Sequence, residues 1–320
     1  MIDGTAVIID PYSHVNPHVL LLGMSGSGKS TTAKALLYRM YIKYYGDMDF
    51  YVVDPEGEYK RLGRQLKAQV LTVEPGKPLG LDPLKLLDSA TAADFITSAV
   101  KLPQEHAGEL RALIVKSKSI WDLYRNASSE LKRYLRGLLE GPDAYVFKGN
   151  PIEVGTRVVI DLSNVDSETT KNLLASLLFT RFWRTIVESP RQRRKILLMD
   201  EAWRITRMPG AERLILDVAK RGRKYNASIV FITQEPEDLL STRAGRAVAK
   251  NTATKILLHL DEPEELRKLL RLTDRDIEFI SKAEIGQALI MAENIRLPAK
   301  ILVSEKEYKL FTTKPEEWKE

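Results

Sequence analysis

The sequence contains no cysteine, and this absence excludes disulfide bonds, thiolate metal sites and cysteine nucleophiles. Histidine is scarce as well, and its four positions (His14, His18, His106 and His259) show no metal-ligand spacing. A lack of cysteine is typical of intracellular proteins and of thermophilic ones, in which thermolabile residues are few. Any chemistry in this chain must therefore rest on carboxylates, lysines, arginines, hydroxyls and amides.

Long apolar runs are also missing, because no stretch approaches the roughly 20 residues that cross a bilayer. The amino terminus lacks the basic segment followed by an apolar stretch that marks a signal peptide. We therefore expect a cytoplasmic protein that reaches the cytoplasmic face of a membrane only through a partner or a further domain. The charge balance, 49 basic against 43 acidic residues, is compatible with a nucleic-acid partner and equally with a solvated lysine-rich surface.

Short apolar, β-branched runs alternate with longer helical patterns along most of the chain. Strands that are apolar without alternation are buried on both faces, and helices between them imply parallel crossovers. The pattern predicts an α/β fold with a mainly parallel sheet. The predicted strands are 6–10, 19–22, 50–53, 70–73, 157–162, 195–200, 228–233, 255–258 and 288–291.

One segment interrupts this alternation. Residues 88–145 hold no convincing strand, whereas Leu, Ala, Lys and Arg recur at helical spacing, which predicts an inserted helical subdomain. The flanking segments, 1–87 and 146–304, are then the two parts of one α/β core. Residues 305–320 form a charged tail that we expect to be peripheral.

The segment from Gly23 to Ser30 matches the phosphate-loop pattern G-x-x-x-x-G-K-[ST] at every required position. It follows an apolar strand and opens a helix, so backbone N–H groups and the helix amino terminus can hold phosphates. We expect Lys29 to reach the β- and γ-phosphates of ATP and the Ser30 hydroxyl to bind Mg²⁺. The predicted nucleotide-binding residues are Gly23, Ser25, Gly26, Ser27, Gly28, Lys29, Ser30 and Thr31.

A second acidic motif, Asp200-Glu201, follows the four apolar residues 196–199. At the carboxyl end of a strand, Asp200 can hold Mg²⁺ and Glu201 can polarise the attacking water as general base. Alone the motif is weak, but it is strong beside a phosphate loop. Gln234 follows the next strand, where it either faces the γ-phosphate or the lytic water, or is a polar loop residue without a role.

Basic residues cluster at the end of the helix that precedes residue 228. Arg221, Arg223 and Lys224 either complement the helix dipole or provide an arginine finger to the nucleotide of a neighbouring subunit. The basic segments 191–195 and 243–246 are candidate pore loops, although solvated loops explain them as well.

These residues together resemble the HerA/FtsK superfamily of ring-forming pumping ATPases. Within it, the likeness is to the C-terminal motor domain of TraC-type conjugation (type IV secretion) ATPases, which include archaeal CedB. The resemblance spans residues 4–300, and it rests on the order and spacing of the motifs. In chain order, the motifs are Asn16-Pro17-His18, the phosphate loop, 53–59, Leu81-Asp82-Pro83-Leu84, Asp200-Glu201-Ala202-Trp203, 223–227, Thr233-Gln234, Asp238-Leu239-Leu240, Asn251 and 286–290.

The resemblance implies a RecA-like core and a homo-hexameric ring with ATP sites between subunits. It implies Arg223 as the trans-acting finger, with Lys224 beside it, and Gln234 as the sensor of the γ-phosphate. Asp54 and Glu58 fall in a family motif near the nucleotide, where they could equally cap a turn. The large N-terminal domain of the conjugation ATPases has no counterpart here, so we expect an isolated motor domain or a minimal relative.

Three functions remain open on the sequence. The first is an ATP-hydrolysing ring motor that drives DNA transfer or assembly of a transfer pilus, with membrane-embedded machinery as partner. The second is a HerA-like DNA translocase in DNA end processing. The third is a nucleotide-gated assembly scaffold that binds DNA weakly.

Overall fold

A computed structural model describes residues 4–44, 47–150, 153–206, 211–293 and 295–312. Its strands form one nine-stranded sheet in the order β3-β4-β2-β5-β6-β1-β7-β8-β9. The strands are β1 (Val19–Leu22), β2 (Met48–Asp54), β3 (Gln69–Thr72), β4 (Arg157–Asp161), β5 (Arg194–Met199), β6 (Ala227–Thr233), β7 (Thr254–Leu257), β8 (Gln287–Ala292) and β9 (Ile295–Lys300).

The helices connect and cover these strands. They are α1 (Lys29–Lys43), α2 (Lys60–Gln65), α3 (Pro83–Leu86), α4 (Ser89–Ala99), α5 (Ala107–Lys116), α6 (Ile120–Asn126), α7 (Ser129–Leu139), α8 (Glu168–Glu188), α9 (Trp203–Thr206), α10 (Ala211–Arg221), α11 (Pro236–Leu240), α12 (Arg243–Asn251), α13 (Arg267–Leu270), α14 (Asp274–Lys282) and α15 (Glu305–Phe311).

The strand β1 lies near the middle of the sheet, between β6 and β7, and it is parallel to both. Parallel pairing continues through β5, β2, β4 and β3, whereas β8 and β9 are antiparallel. Val19 and Leu21 pack on the face covered by α1, and Leu20 and Leu22 pack on the opposite face, so β1 is buried on both sides. The prediction of an α/β fold with a mainly parallel sheet is confirmed.

The segment between β3 and β4 is helical in the structure, from α3 to α7 and a 3-10 turn at Pro142–Phe147. Side chains cap these helices, as Asp88 does for α4 and Ser128 for α7 by accepting from backbone N–H groups. Leu131 and Leu135 of α7 are buried in the apolar core that also contains Leu20 and Leu22 of the sheet. The predicted helical character is therefore found, while the division into domains stays a prediction.

One predicted strand is wrong, and one strand of the structure was missed. Residues 6–10 form no strand, because they lie on the surface without a pairing partner, and Ile8 is 89% exposed. Conversely, β9 was not predicted, since Pro298 lies inside it. Proline cannot donate a ladder hydrogen bond and is tolerated only on edge strands, and β9 is the edge of this sheet.

The tail is not peripheral as far as it is described. Helix α15 packs against α1, with Phe311 buried and its ring edge-on to Tyr38. Arg39 of α1 donates to both carboxylate oxygens of Glu307. Helix α1, which follows the phosphate loop, is thus held in place by its contacts with α15. The rest of the predicted tail, 313–320, lies outside the described residues.

Candidate nucleotide site

The phosphate loop connects β1 to α1 and winds tightly. Gly26 and Gly28 have φ values of +80° and +96°, in the left-handed region that favours glycine. A Cβ on Gly23 would lie 2.7 Å from the Cβ of Leu258, so a side chain has no room there. The backbone of Gly286, just before β8, donates to the Ser27 carbonyl at 3.0 Å. The neighbouring strands therefore hold the loop in a fixed shape.

The remaining loop residues surround the start of α1. Ser25 and Gly26 are exposed at the tip of the loop, and the Ser27 hydroxyl donates to the Met24 carbonyl at 2.7 Å. Ser30 and Thr31 are half-buried in the first turn of α1. The predicted phosphate-binding residues thus lie together, with backbone N–H groups and a helix amino terminus converging on one place.

Lys29 is buried, with 7% of its surface exposed. Among the described residues its ammonium has no hydrogen-bond partner, and its one ion pair is with Glu201, whose Oε1 lies 3.5 Å away. A buried ammonium without acceptors is costly, so such a group calls for an anionic ligand. A phosphate chain in the glycine-rich loop would supply the acceptors that Lys29 lacks.

Asp200 directly follows β5 and is buried. Its Oδ2 accepts from the Tyr59 hydroxyl at 3.1 Å, and its Oδ1 accepts from the Glu201 N–H at 3.0 Å. Burial raises the pKa of Asp200 to about 6; Lys29 acts in the opposite direction, and the charges of Glu201 and Glu58 add to the rise. A cation such as Mg²⁺ would stabilise the ionised form of this carboxylate.

Glu201 lies at the centre of the site, in a backbone conformation that non-glycine residues rarely adopt, with φ of +52°. Both oxygens of its buried carboxylate are bound. Oε1 accepts from Gln234 Nε2 and faces the Lys29 ammonium, and Oε2 accepts from the indole N–H of Trp203 at 2.6 Å. Lys29, Asp200, Glu201 and Gln234 therefore meet at the carboxyl edge of β1, β5 and β6, as the sequence predicts.

Asp54 and Glu58 have structural partners. Asp54 accepts from the backbone N–H groups of Glu58 and Tyr59 at 3.0 and 2.8 Å, so it caps the turn after β2. Glu58 pairs with the buried Lys34 of α1 at 3.1 Å. Of the two interpretations of these residues, the structure shows the capping contact for Asp54.

The buried Asp54 predicts a pH dependence of stability. Burial raises its pKa from 3.8 to about 7. The folded state therefore keeps a proton that the unfolded chain releases, so the stabilisation is complete below about pH 4 and is lost as the pH rises to about 7. We expect the contribution of Asp54 to the free energy of unfolding of the nucleotide-free protein to fall between about pH 4 and 7, as measured by denaturant titration.

The matching variant is Asp54→Asn, which cannot titrate. It should be less stable overall, because its side chain can accept only one of the two backbone N–H groups well. Its stability should nevertheless fall less steeply with pH, and the remaining slope comes from other groups with shifted pKa values, among them Asp200 and His18. Equal slopes for the two proteins would contradict the assignment to Asp54.

Arg223 does not join this site. It is exposed in the 3-10 turn Gly222–Tyr225, directly before β6, whereas Gln234 directly follows the same strand. Arg223 and Lys224 therefore lie at the amino edge of the sheet, opposite the phosphate loop. Arg221, in the last turn of α10, instead pairs with Asp217 at 2.9 Å, four residues earlier on the same helix.

The basic segments predicted as candidate pore loops are not free loops. Residues 243–246 begin α12, and Arg246 donates to the Leu240 carbonyl. Arg194 and Lys195 belong to β5, and Lys195 is fully buried, with its ammonium bound by the carbonyls of Pro190, Arg193 and Tyr225. Arg191 and Gln192, at the start of this segment, are exposed, and the guanidinium of Arg191 lies 5.5 Å from the centre of the Tyr225 ring.

Sequence reasoning gave no role to Tyr59 and Trp203, which contact Asp200 and Glu201 respectively. Both residues stand inside the motifs 53–59 and 200–203, so the signal was their place beside the acidic residues. Within the described ranges, we find no group of three or more His, Cys, Asp or Glu side chains that could hold a metal ion.

Comparisons with known families match both halves of the chain. Residues 1–140 match the family described as the central domain of helicase HerA, and residues 161–292 match an AAA-like domain. The first match contains the phosphate loop and Asp54, and the second contains Asp200, Glu201 and Gln234. In the part of the chain that is described, no helix is long and apolar enough to cross a membrane.

Two of the curated relatives have names related to DNA. The DNA import protein CedB of Sulfolobus acidocaldarius is 23% identical over 264 residues, which cover 74% of this chain and 43% of CedB. The DNA double-strand break repair helicase HerA of Sulfurisphaera tokodaii is 24% identical over 352 aligned residues, covering 94% of this chain and 68% of HerA. The chain thus spans less than half of one relative and about two thirds of the other.

Among solved structures, VirB4 of Thermoanaerobacter pseudethanolicus superposes with a TM-score of 0.84 at 24% identity, covering 95% of each chain. At this identity the likeness concerns the fold. It covers 95% of this chain, so the two proteins share the arrangement of sheet and helices.

Proposed function

We propose that this chain is a P-loop ATPase of the kind that includes HerA, CedB and VirB4, and that it hydrolyses ATP and acts as a motor; the family matches, the relatives and the shared fold support this. The observation that carries this proposal is the buried Lys29 ammonium, which faces Glu201 and lacks a hydrogen-bond acceptor among the described residues. In this proposal the loop 23–30 cradles the phosphates, Lys29 is their cation, and Glu201 is the carboxylate that faces the attacking water.

Each part of the site has a separate role in the proposed hydrolysis of ATP. Backbone N–H groups of 23–30 cradle the phosphates, and the Lys29 ammonium moves from Glu201 to the β- and γ-phosphate oxygens. Oε1 of Glu201 is then free to accept a proton from the attacking water. The water oxygen bonds to the γ-phosphorus, the bond to the β–γ bridging oxygen breaks, and ADP and phosphate leave. Gln234, which donates to the same Oε1, reports whether the γ-phosphate is present.

Mg²⁺ fits this site. Ser30 supplies a hydroxyl in the first turn of α1, and Asp200 supplies a buried carboxylate whose raised pKa a cation would lower. When bound, the ion neutralises the charge on the phosphate oxygens. Ser30 and Asp200 are the residues that would hold it.

The direct test is phosphate release from ATP by the purified chain, with Mg²⁺ and with an excess of EDTA. We expect hydrolysis with Mg²⁺ and none with EDTA. Binding of ATP without any hydrolysis, in the presence and absence of DNA, would instead support the nucleotide-gated scaffold.

We further propose a homo-hexameric ring in which Arg223 completes the site of a neighbour. Arg223 is exposed, lies at the sheet edge opposite Lys29, and has no ion pair in the described part of the chain. It cannot reach its own phosphate loop without unfolding β6, so any contact with a triphosphate must come from another subunit.

Subunit mixing tests this arrangement. We expect Arg223→Ala to lower turnover about 10²-fold, since it removes one charge from the transition state. A mixture with Glu201→Gln subunits should regain activity, because some sites then combine an intact Glu201 with an intact Arg223. Lys220→Ala, which removes another exposed cation from the same edge, is the matched control and should keep its turnover. No recovery on mixing would argue against a shared site.

DNA is the cargo that we propose, because CedB and HerA are named for DNA import and DNA repair; the net charge of +6 is compatible with this cargo. The HerA match over 94% of the chain also favours the second candidate, a translocase in DNA end processing. The first candidate, a ring motor that drives DNA transfer or pilus assembly, would act at the cytoplasmic face of a membrane beside the transfer or pilus machinery.

Salt dependence tests the DNA proposal. If basic side chains contact phosphates, the logarithm of the affinity should fall steeply with the logarithm of salt concentration, by about 0.9 per phosphate contact. Fluorescence anisotropy with labelled duplex measures this slope. A flat salt response, together with hydrolysis that DNA does not change, would indicate a different cargo.

A further inference from the structure

The carboxylate of Glu201 is divided between two sets of donors. Its Oε1 accepts from Gln234 and faces Lys29, and these two residues border the place of the γ-phosphate. Its Oε2 accepts from Trp203 Nε1 at 2.6 Å, on the short helix α9. Oε1 therefore faces the nucleotide side of the site, whereas Oε2 is bound by the protein.

The backbone around Glu201 is fixed on every side despite its positive φ. The Glu201 N–H donates to Asp200 Oδ1 at 3.0 Å, and its carbonyl accepts from the Arg204 N–H at 3.0 Å. The next N–H, of Ala202, donates to the Ile232 carbonyl at 2.8 Å. A strained backbone persists only where its surroundings hold it in this way. What remains free is the rotation of the Glu201 side chain, and the Trp203 contact restricts that rotation.

Trp203 is itself held in place. The guanidinium of Arg204 lies 4.7 Å from the centre of the Trp203 ring, at the distance of a cation–π contact. Arg204 is buried, donates to Asn172 Oδ1 at 2.9 Å and pairs with Glu168, both on α8. Arg204 also faces Glu56, at 3.6 Å, in the turn after β2. The indole is thus anchored through Arg204 to two elements of the core.

We propose that Trp203 is the positioning residue of the hydrolysis step, holding Oε2 of Glu201 so that Oε1 points toward the attacking water. This inference rests on the proposed function, in which Glu201 accepts the proton of that water. When the phosphates draw Lys29 away, Oε1 loses one donor, whereas the bond from Trp203 to Oε2 stays. The carboxylate then keeps its orientation without rearrangement during the reaction, which is the condition for efficient proton transfer.

The variant that isolates this role is Trp203→Phe, which keeps an aromatic ring against Arg204 and removes the N–H donor. Turnover should fall about 10- to 100-fold, as expected for a displaced catalytic group, while KM and the affinity for ATP stay within about 2-fold. The matched control is Trp121→Phe, because the indole N–H of Trp121 is buried without a hydrogen-bond partner in the described part of the chain. It should keep wild-type turnover.

A double variant separates positioning from general damage. If Trp203 acts only through the Glu201 carboxylate, Trp203→Phe should cause no further loss in a Glu201→Gln background, so the two effects should not add. A structural defect would lower the residual activity again. An additive loss, or full turnover in Trp203→Phe, overturns the proposal for Trp203.

The contact can also be followed without activity, through the indole N–H signals of the four tryptophans in a ¹⁵N-labelled, deuterated sample. Trp203→Phe assigns the Trp203 signal, and Glu201→Gln should move it upfield, because a charged acceptor is replaced by a neutral one. An unmoved signal overturns the contact. Absence of hydrolysis in the wild type would overturn the proposed function instead, whatever the indole signal shows, so the two failures are distinguishable.

Discussion

Glu201→Gln is expected to bind ATP and to hydrolyse it about 10³-fold more slowly than the wild type, within the range usual for removal of a general base. Glutamine keeps the size of the side chain, and its amide oxygen can still accept from Gln234 or from Trp203. It cannot take a proton from water at neutral pH. Phosphate release at saturating ATP measures the loss, and calorimetric titration with a slowly hydrolysed analogue measures the binding that remains.

A second lysine–glutamate pair on the same helix provides the control. Lys34 of α1 pairs with Glu58 at 3.1 Å, as Lys29 pairs with Glu201 at 3.5 Å, but Glu58 contacts neither Gln234 nor the phosphate loop in the described structure. Glu58→Gln should therefore lower the stability slightly and keep turnover within several-fold. Wild-type turnover in Glu201→Gln would remove Glu201 as the base, and equal losses in both variants would indicate general damage.

The phosphate loop and the acidic pair at 200–201 could be predicted because each is a local pattern with one geometric solution. The chain passes from strand β1 to helix α1 within a few residues, so it must turn sharply between them. Gly26 and Gly28 make this turn with positive φ values. Parallel pairing then brings the ends of β1, β5 and β6 to one edge, so Gln234 could be placed as well.

The contacts that complete the site could not be predicted from local patterns. The ring of Trp203 turns back to Glu201 only because Glu201 adopts a left-handed backbone, and nothing in the sequence 200–203 requires that conformation. The bond from Lys34 to the Phe311 carbonyl joins residues far apart in the chain, through a helix that looked like part of a charged tail. Such pairings depend on the finished packing rather than on propensity.

Errors about strands had a related cause. Residues 6–10 have strand propensity but no neighbour to pair with, and propensity alone does not place a segment in a sheet. The strand β9 has low propensity at Pro298, yet β8 supplies its partner and the outer edge tolerates the missing N–H. In both cases the available pairing partner decided the outcome.

Lys29→Ala is expected to abolish detectable hydrolysis, a loss of at least about 10³-fold, and to weaken ATP binding, because it removes the cation that the phosphates would meet. The effect on the folded chain should be small, since the Lys29 ammonium has one ion pair and no hydrogen bond among the described residues. Stabilisation by ligand provides the measurement: at about 100 times its dissociation constant, a nucleotide adds about 2.7 kcal/mol to the free energy of unfolding. The variant should lose most of this increment.

Lys34→Ala should show the reverse. Lys34 is 1% exposed and donates to both Glu58 and the Phe311 carbonyl at 3.1 Å, so its removal leaves the buried Phe311 carbonyl and the half-buried Glu58 carboxylate without this donor and costs roughly 1–3 kcal/mol of stability. Its ligand-induced stabilisation should nevertheless remain, because the phosphate loop is intact. The two lysines lie five positions apart on one helix. Lys29 contributes mainly to ligand binding, whereas Lys34 contributes mainly to the stability of the fold. If both variants lost the same stability and the same ligand response, the distinction between a phosphate-binding and a structural lysine would be wrong.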